Sequence, residues 1–483
     1  MRKAELGSFI EKKRDVFIEL SDKIWAFAET AFVEFQSADL LCEALEKEGF
    51  SVERGTGGVA TAFCGSWGSG SPVIAFLGEY DALSGLSQKG GVAVKEPLVP
   101  GGNGHGCGHN NLGAGAFAAA VAFREYLKSS GKSGTVRYYG CPGEEGGSGK
   151  AFMARAGVFD DVDAALTWHP GSVNAVFPFS SLANFQVAYR FKGKSAHAAA
   201  CPHLGRSALD AVELMNVGVN YLREHVIPEA RMHYAITDSG GFSPNVVQPK
   251  AEALYLLRAP RTPQVEEIYE RVNKIARGAA LMTETELEIR FIKACANVVQ
   301  NNVLERVLAR NFAELGVPEY TEEEISFARA IFDGIAPSER SSDLDQYSAP
   351  GGAAGKEAAK RLRERPIADG VLPYGESDFV LPGSTDVGDV SWIVPTCQAW
   401  VATWPNHTPG HSWQIVSSGV TPLAHKGMLH AGKVLAAAAA DLFDDPSLID
   451  AAKKELRERL DGVSYRCAIP DEVVPKAIQP SGR

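Results

Sequence analysis

The chain has 483 residues, of which 45% are hydrophobic and 22% charged, and its net charge is −11 at pH 7. This composition is typical of a globular protein long enough for two domains. The negative charge argues against a nucleic-acid partner or an anionic membrane surface, since both favour a basic face. No apolar run reaches the roughly 20 residues that span a bilayer, and the charged N-terminus lacks a secretory apolar core. We therefore predict a cytoplasmic protein.

The first third of the chain alternates between helical and strand patterns. Such an alternation predicts an α/β fold with a mostly parallel sheet flanked by helices. In such a sheet the chemistry lies in loops at the carboxyl ends of the strands, where Asp81, Glu144 and His169 occur. Helical spacing of apolar residues covers 8–29, 36–48 and 112–128, and strand patterns begin at residue 72 and cover 135–141 and 163–169.

The pattern changes at residue 183, where apolar and polar residues begin to alternate. The change predicts a small inserted α+β domain over residues 183–296. Residues 1–182 and 297–483 then form one larger domain that this insertion interrupts. Within the insertion, strand patterns cover 183–193, 251–260 and 285–294, and helical patterns cover 206–223 and 263–277.

The last part of the chain returns to helical spacing at Leu304. Residues 336–378 are rich in Pro, Ser, Gly and charge, which predicts a long insertion with a partial helix near 355–364. An alanine-rich helix is predicted over about 425–443. The eight cysteines show no framework spacing, which is typical of reduced thiols.

The stretch GGNGHGCGHNN, residues 101–111, alternates glycine with His105, Cys107 and His109. In extended backbone, residues two apart face the same side, so these side chains can face one point. Thiolate and imidazole together suit zinc and similar transition metals. The alternative is a glycine-rich turn with one buried cysteine and solvated histidines.

Further metal-binding residue types follow at other strand ends. Glu144 and Glu145 are adjacent after a strand, His169 ends another strand, and His407 and His411 lie in a loop between apolar segments. Each of these alone is more often a surface pair or a core histidine than a ligand. Together with the His/Cys loop they predict a metal site, because buried carboxylates are unfavourable without a cation.

Seven motifs resemble those of aminoacylase and carboxypeptidase-G-type metallopeptidases, in the same order and over essentially the whole chain. They are similar above all to the subgroup of N-acyl-amino-acid amidohydrolases with an H-x-C-G-H loop. The motifs are GEYDAL, GHGCGHNNLGAGA, GEEGGSGK, WHPG, KGKSAHAA, NVVQP and STDVGDVSW followed by GHSW.

The resemblance implies a catalytic domain like that of di-zinc exopeptidases and an inserted lid domain that forms a homodimer. It implies two divalent metal ions per subunit, zinc or manganese. The implied reaction cleaves the amide bond of an N-acyl or N-aroyl amino acid to a carboxylic acid and a free amino acid, with water activated by metal.

The resemblance also implies a role for each matching residue. Glu144 is the implied general base, and Asp81 is the implied carboxylate that orients a ligand. His197 of the lid is implied to steady the oxyanion in the neighbouring subunit's active site. Asn245 and Arg258 are implied to contact substrate. The implied metal ligands are Cys107, His109, Glu145, His169 and His411.

Two positions depart from the family pattern, and one ligand position is ambiguous. Asn110 stands where the family usually has aspartate, and Glu79 stands where many members have a histidine. We therefore predict no ligand from the strand that carries Glu79. The C-terminal ligand is ambiguous, because only the GHSW register favours His411 over its neighbours. These neighbours are His407, His425 and His430.

Three other functions compete with this interpretation. Cys107 can be a nucleophile activated by His105 or His109 and oriented by Asp81, but this leaves the adjacent glutamates unexplained. The glycine loop can cradle phosphate, but its spacing fits neither dinucleotide nor P-loop motifs. The chain can also be a non-catalytic or weakly active subunit that assembles with a homologous chain.

Overall fold

The computed structural model describes residues 3–340 and 343–477. The ends of the predicted catalytic domain, 1–2 and 478–483, lie outside the described residues, as do residues 341–342 of the segment 336–378. The strands are β1 Ser51–Arg54, β2 Phe63–Ser69, β3 Val73–Glu79, β4 Gly134–Cys141, β5 Ala164–Gly171, β6 Ala175–Val176, β7 Ser180–Ser181, β8 Ala183–Lys192, β9 Arg231–Asp238, β10 Lys250–Ala259, β11 Glu286–Cys295, β12 Val380–Leu381 and β13 Thr396–Ala402.

Helices precede, connect and follow these strands. They are α1 Leu6–Lys12, α2 Arg14–Phe27, α3 Phe35–Lys47, α4 His109–Ser130, α5 Gly149–Arg155, α6 Ala208–Leu222, α7 Thr262–Thr283, α8 Asn302–Leu315, α9 Glu322–Asp333, α10 Asp343–Ser348, α11 Gly352–Leu362, α12 Val387–Ser391, α13 Trp413–Ser418, α14 Pro422–Asp444 and α15 Pro446–Leu460. Among the described residues, none of the helices combines the length and the apolar character needed to cross a bilayer.

A seven-stranded sheet in the order β1-β2-β4-β3-β5-β13-β6 forms the larger layer. Its four central strands, β4, β3, β5 and β13, are parallel, and the outer strands join them antiparallel. The apolar run 74–77 of β3 is fully buried, as a central parallel strand covered on both faces requires. The predicted α/β class and mostly parallel sheet are confirmed.

Two alanine-rich helices, α4 and α14, pack against each other beside this sheet. Small side chains allow their backbones to approach closely. A Cβ atom added to Gly432 would lie 3.1 Å from the carbonyl oxygen of Gly115. Helix α14 begins where Thr421 accepts a hydrogen bond from the amide of Ala424 and Pro422 takes the first helical position. This packing fixes the start of α4, which bears His109.

A second, antiparallel sheet in the order β11-β8-β10-β9 lies wholly within residues 183–296. Helices α6 and α7 cover one of its faces. Side chains from this face and from both helices form an apolar cluster that includes Phe185, Leu257, Met215 and Val272. The other face of the sheet bears Arg258, which contacts Ser384 outside this segment.

One expectation about local structure is wrong, whereas the partial helix predicted near 355–364 is confirmed by α11. The predicted helix over 8–29 is interrupted at Lys13, whose φ and ψ of −106° and 10° are not helical. The segment 336–378 forms α10 and α11, and it packs its apolar side chains against the main sheet. Tyr347 of α10 lies 5.0 Å from Trp400, measured between ring centroids. This segment therefore buttresses β13 next to the site described below.

Candidate metal centre

Three neighbouring strands bring polar side chains to one edge of the main sheet. Asp81 lies two residues after β3, Glu144 and Glu145 follow β4, and His169 lies near the end of β5. Strands β4, β3 and β5 are adjacent and parallel, so their carboxyl ends meet. The main sheet therefore gathers residues that are far apart in the sequence.

The glycine-rich loop turns at residues 106–107, just before α4, and is not extended there. Gly108 has a φ of 73°, and a Cβ atom there would lie 2.9 Å from Pro170. The turn directs Cys107 and His109 into one cluster. His105 lies elsewhere, with its Nε2 atom 3.0 Å from the carbonyl oxygen of Ile24, and burial lowers its pKa to about 4.

Five side chains from distant segments converge in this cluster. The donor atoms of Cys107, His109 and His169 lie within 4.8 Å of one another, and so do those of Cys107, Glu145 and His411. Cys107 belongs to both groups, and its Sγ atom is 3.4 Å from Nε2 of His169. The Nε2 atom of His411 is 3.3 Å from Oε1 of Glu145.

The other C-terminal histidines have different neighbours. The Nε2 atom of His407 is 3.0 Å from the carbonyl oxygen of Arg363. His425 Nε2 is 2.8 Å from a carboxylate oxygen of Asp22. The ring of His430 packs against Phe312, with 5.6 Å between ring centroids. His411 is thus the C-terminal histidine that the cluster contains.

The ring nitrogens of the clustered histidines have hydrogen bonds that suit metal ligands. Nδ1 of His109 is 2.9 Å from Asp81, whose other oxygen accepts a hydrogen bond from the amide of Glu145. Nδ1 of His169 is 2.6 Å from the carbonyl oxygen of Pro170, and its ring stacks on Trp400. Each Nδ1–H can donate to its oxygen, which leaves Nε2 with a free lone pair.

Two buried donor atoms of the cluster have no hydrogen-bond partner among the described residues. They are Nε2 of His109 and Oε1 of Glu145. A buried polar atom without a partner is unfavourable, and a divalent cation is a partner that thiolate, imidazole and carboxylate share. The residues present therefore fit a metal centre.

The two adjacent glutamates have pKa values shifted in opposite directions. Burial, together with the charges of Glu79 and Glu145, raises the pKa of Glu144 to about 8. Burial alone would raise the pKa of Glu145, but the close contact with His411 and the charge of His109 lower it to about 2. Such a divergence suits one carboxyl group that exchanges protons and one that stays ionised as a ligand.

The thiol of Cys107 does not have the environment of a metal-independent nucleophile. Burial and the negative charge of Glu145 raise its pKa. Nucleophilic cysteines instead have a lowered pKa, because the thiolate is the reactive form. A cation bound to the sulfur would keep it deprotonated.

The strand that carries Glu79 brings a carboxylate next to the cluster, and the prediction that this strand supplies no metal ligand stays a prediction. Donor atoms of Glu79, His109 and Glu144 also lie within 4.8 Å of one another. The other oxygen of Glu79 lies 2.6 Å from the ammonium of Lys150, which is itself 2.5 Å from Asp386. Lys150 is completely buried, so this triad holds Glu79 in place beside His109.

We expect Lys150→Met to lower the free energy of unfolding by about 3–5 kcal/mol, because it leaves the carboxylates of Glu79 and Asp386 buried without their cation. Urea unfolding followed by circular dichroism measures this loss. The matched control is Lys23→Met, which removes an exposed lysine paired with Glu19 and should cost at most about 1 kcal/mol. Equal midpoints for the two variants would show that the triad does not stabilise the fold.

Glu34 supports the loop that carries the adjacent glutamates, and sequence reasoning missed it. Its carboxylate accepts hydrogen bonds of 2.9 Å from the amide of Gly143 and from the hydroxyl of Thr61. Burial and the charge of Asp81 raise the pKa of Glu34 to about 8. No motif surrounds Glu34, so only the fold could reveal this contact. Asn110 likewise has a packing role, since its amide donates to Ser21 and to the carbonyl of Gly419.

The site residues predicted within the segment 183–296 divide into two groups. His197 and Asn245 lie on exposed loops outside the cluster, where Nδ1 of His197 accepts hydrogen bonds from the amides of Ala199 and Ala200. Arg258 donates a 2.8 Å hydrogen bond to Ser384 in the main domain. Burial lowers the pKa of Arg258 and the charge of Glu144 opposes this shift, so Arg258 is within electrostatic reach of the cluster.

Known proteins resemble this chain in sequence and in fold. One subunit of the p-aminobenzoyl-glutamate hydrolase of Escherichia coli (strain K12) is 52% identical over 97% of this chain and 98% of its own length. The other named subunit of that hydrolase is 27% identical over 56% of this chain and 72% of its own length. A solved Bacillus subtilis structure, described as a dinuclear metal binding peptidase from the M20 family, has a TM-score of 0.54 at 17% identity, and the match covers 90% of this chain and 99% of that one.

The model of peptidase family M20/M25/M40 matches residues 75–471, which include all the clustered side chains described above. The match covers the whole second sheet and the main sheet from β3 onwards, without β1 and β2. The family resemblance found in the motifs is confirmed. The chain therefore belongs to peptidase family M20/M25/M40 and is a metal-dependent hydrolase.

Proposed function

We propose that this protein hydrolyses the amide bond of N-aroyl amino acids such as p-aminobenzoyl-glutamate, releasing a carboxylic acid and a free amino acid. The observation that carries this proposal is the convergence of Cys107, His109, Glu145, His169 and His411 around a cluster that also contains Glu144. The substrate class rests on the 52% identity to one subunit of a p-aminobenzoyl-glutamate hydrolase.

The five clustered donors would hold two divalent ions, zinc or manganese, with Cys107 shared between them. Bound cations of this kind lower the pKa of water and polarise the amide carbonyl. Asp81 would hold two of the ligands in position, since its two oxygens bind the ring of His109 and the amide of Glu145. One carboxylate thereby orients two ligands.

Glu144 would act as the general base. It would take a proton from the attacking water and later pass it to the departing amine, which is otherwise a poor leaving group. Burial raises the pKa of Glu144, which favours retention of this proton between the two steps. Arg258 would bind a carboxylate of the substrate, because a guanidinium grips carboxylate through two parallel hydrogen bonds.

Assembly would complete the active site. The two Escherichia coli relatives are both named as subunits of p-aminobenzoyl-glutamate hydrolase, which supports pairing with a homologous chain. A homodimer is the other assembly that we propose. His197 is exposed on the second domain and lies outside the cluster of its own chain. In a two-fold dimer through this domain, His197 would reach the neighbouring active site and stabilise the oxyanion.

Elemental analysis and a substrate panel test the proposal together. Purified protein is expected to contain zinc or manganese and to hydrolyse p-aminobenzoyl-glutamate faster than N-acetyl amino acids. A chelator should abolish turnover, and added Zn²⁺ or Mn²⁺ should restore it. Activity that survives metal removal would instead favour the thiol hydrolase. Turnover that requires an added homologous chain would identify this protein as a dependent member of a hetero-oligomer.

A further inference from the structure

Lys293 is a buried lysine without a carboxylate partner. Its side chain comes from β11 and the residue is only 7% exposed. Within the part of the chain that the structure describes, no carboxylate lies within 4.0 Å of its ammonium. Lys150, the other buried lysine discussed above, has two such partners. A buried ammonium is unfavourable unless an anion joins it, so an anionic ligand is expected at Lys293.

The register of the second sheet shows which way Lys293 points. Lys293 lies opposite Gln186 of β8, and Gln186 lies opposite Leu256 of β10. The next row on the same face lies two residues away along each strand and contains Cys295, Asn184 and Arg258. Residues directly opposite one another share a face, as do residues two apart on one strand. Lys293 and Arg258 therefore project from the same face of the sheet.

Side-chain contacts confirm this face and its direction. The amide of Asn184 lies 3.1 Å from the sulfur of Cys295, so these two side chains are on one side. The intervening Phe185 and Ala294 point to the opposite side, into the apolar cluster under α6 and α7. Arg258 reaches Ser384 of the main domain. The face that bears Lys293 is thus the one that continues towards the metal centre.

The spacing of the two cations suits a ligand with two carboxylates. Arg258 and Lys293 are separated by one intervening strand and one step of two residues, which places their Cα atoms roughly 12 Å apart. Both side chains are long enough to converge from this distance on one small molecule. The charge of Glu144 acts on both Arg258 and Cys295, which places this row beside the reacting centre.

We propose that Lys293 is a specificity residue that binds the second carboxylate of an N-acylated acidic amino acid, while Arg258 binds the first. This inference rests on the proposed function and specifies its substrate as a dicarboxylate conjugate. A substrate whose amino acid has a neutral side chain would leave the ammonium of Lys293 buried and unpaired. The site would therefore discriminate against glutamine conjugates, which differ from glutamate conjugates only by an amide.

The test compares kcat/KM for p-aminobenzoyl-glutamate and p-aminobenzoyl-glutamine in wild-type protein and in Lys293→Met. The variant should lose at least 10-fold on the glutamate conjugate and less than 3-fold on the glutamine conjugate, so that the preference between them collapses. Lys293→Arg should retain part of the preference, and it serves as the second variant if the methionine protein does not fold. The matched control is Lys192→Met, an exposed lysine on β8 that pairs with Glu288.

The outcomes separate this inference from the proposed function. An unchanged preference in both variants, or an equal loss on both conjugates, would overturn the role of Lys293 while hydrolysis by the wild-type protein stands. If wild-type protein loaded with metal hydrolyses neither conjugate, the proposed function itself fails. A loss that appears mainly in KM for the glutamate conjugate would locate the effect in substrate binding, which a merely structural residue would not produce.

Discussion

Glu144→Gln is expected to lower kcat by about 10²- to 10⁴-fold and to leave the bound metal unchanged, because the amide keeps the shape of the side chain but cannot accept the proton from water. The neighbouring Glu145, which contacts His411, supplies the metal-binding carboxylate and is untouched by this change. Steady-state kinetics with p-aminobenzoyl-glutamate and elemental analysis of the same preparation measure the two quantities.

The matched control is Glu43→Gln. Glu43 is an exposed residue of α3 and does not belong to the cluster. The control variant should retain wild-type kinetics and metal content. Turnover of Glu144→Gln at the wild-type rate would refute the assignment of the base. Loss of metal together with turnover would instead make Glu144 a ligand.

Cys107→Ala is expected to lose most of its bound metal and nearly all its activity. Its sulfur belongs to both groups of converging donors, so one substitution weakens both. Thiolate is a common zinc ligand, with bonds of about 2.3 Å, and alanine has no donor atom to replace it. Elemental analysis after dialysis, followed by a titration with Zn²⁺ or Mn²⁺, measures the remaining affinity.

Cys42→Ala serves as the control, since Cys42 is a buried thiol of α3 with no place in the cluster. Its metal content should equal that of the wild-type protein. A Cys107→Ala protein that keeps its full complement of metal but has no activity would contradict the ligand assignment. That result would favour the mechanism in which the thiol of Cys107 is the nucleophile.

Local patterns were sufficient to predict most of the elements that carry the site. The apolar run that became β3, the strand that ends at His169 and the alanine-rich helices α4 and α14 all follow from periodicity. Periodicity reports which faces of one segment are buried, and that property is encoded within the segment itself. The seven ordered motifs were sufficient to identify the family, because each motif is short and contiguous in the sequence.

Local patterns failed where a contact depends on segments far apart. Lys150 meets Asp386 across 236 residues, and Glu34 reaches Gly143 across 109. Nothing near either residue in the sequence marks such a partner. The unpaired ammonium of Lys293 was equally invisible, since a lysine in an alternating strand is usually assumed to face water.

The sequence by itself determined the α/β class, the family and the candidate donors, because these depend on residue types and spacing along short stretches. Only the tertiary structure decided that His105 turns away to Ile24, that His411 joins the cluster and that Glu79 approaches His109. The direction of a side chain depends on the backbone turn that carries it and on the elements packed around it. Those elements come from other parts of the chain, and folding alone brings them together.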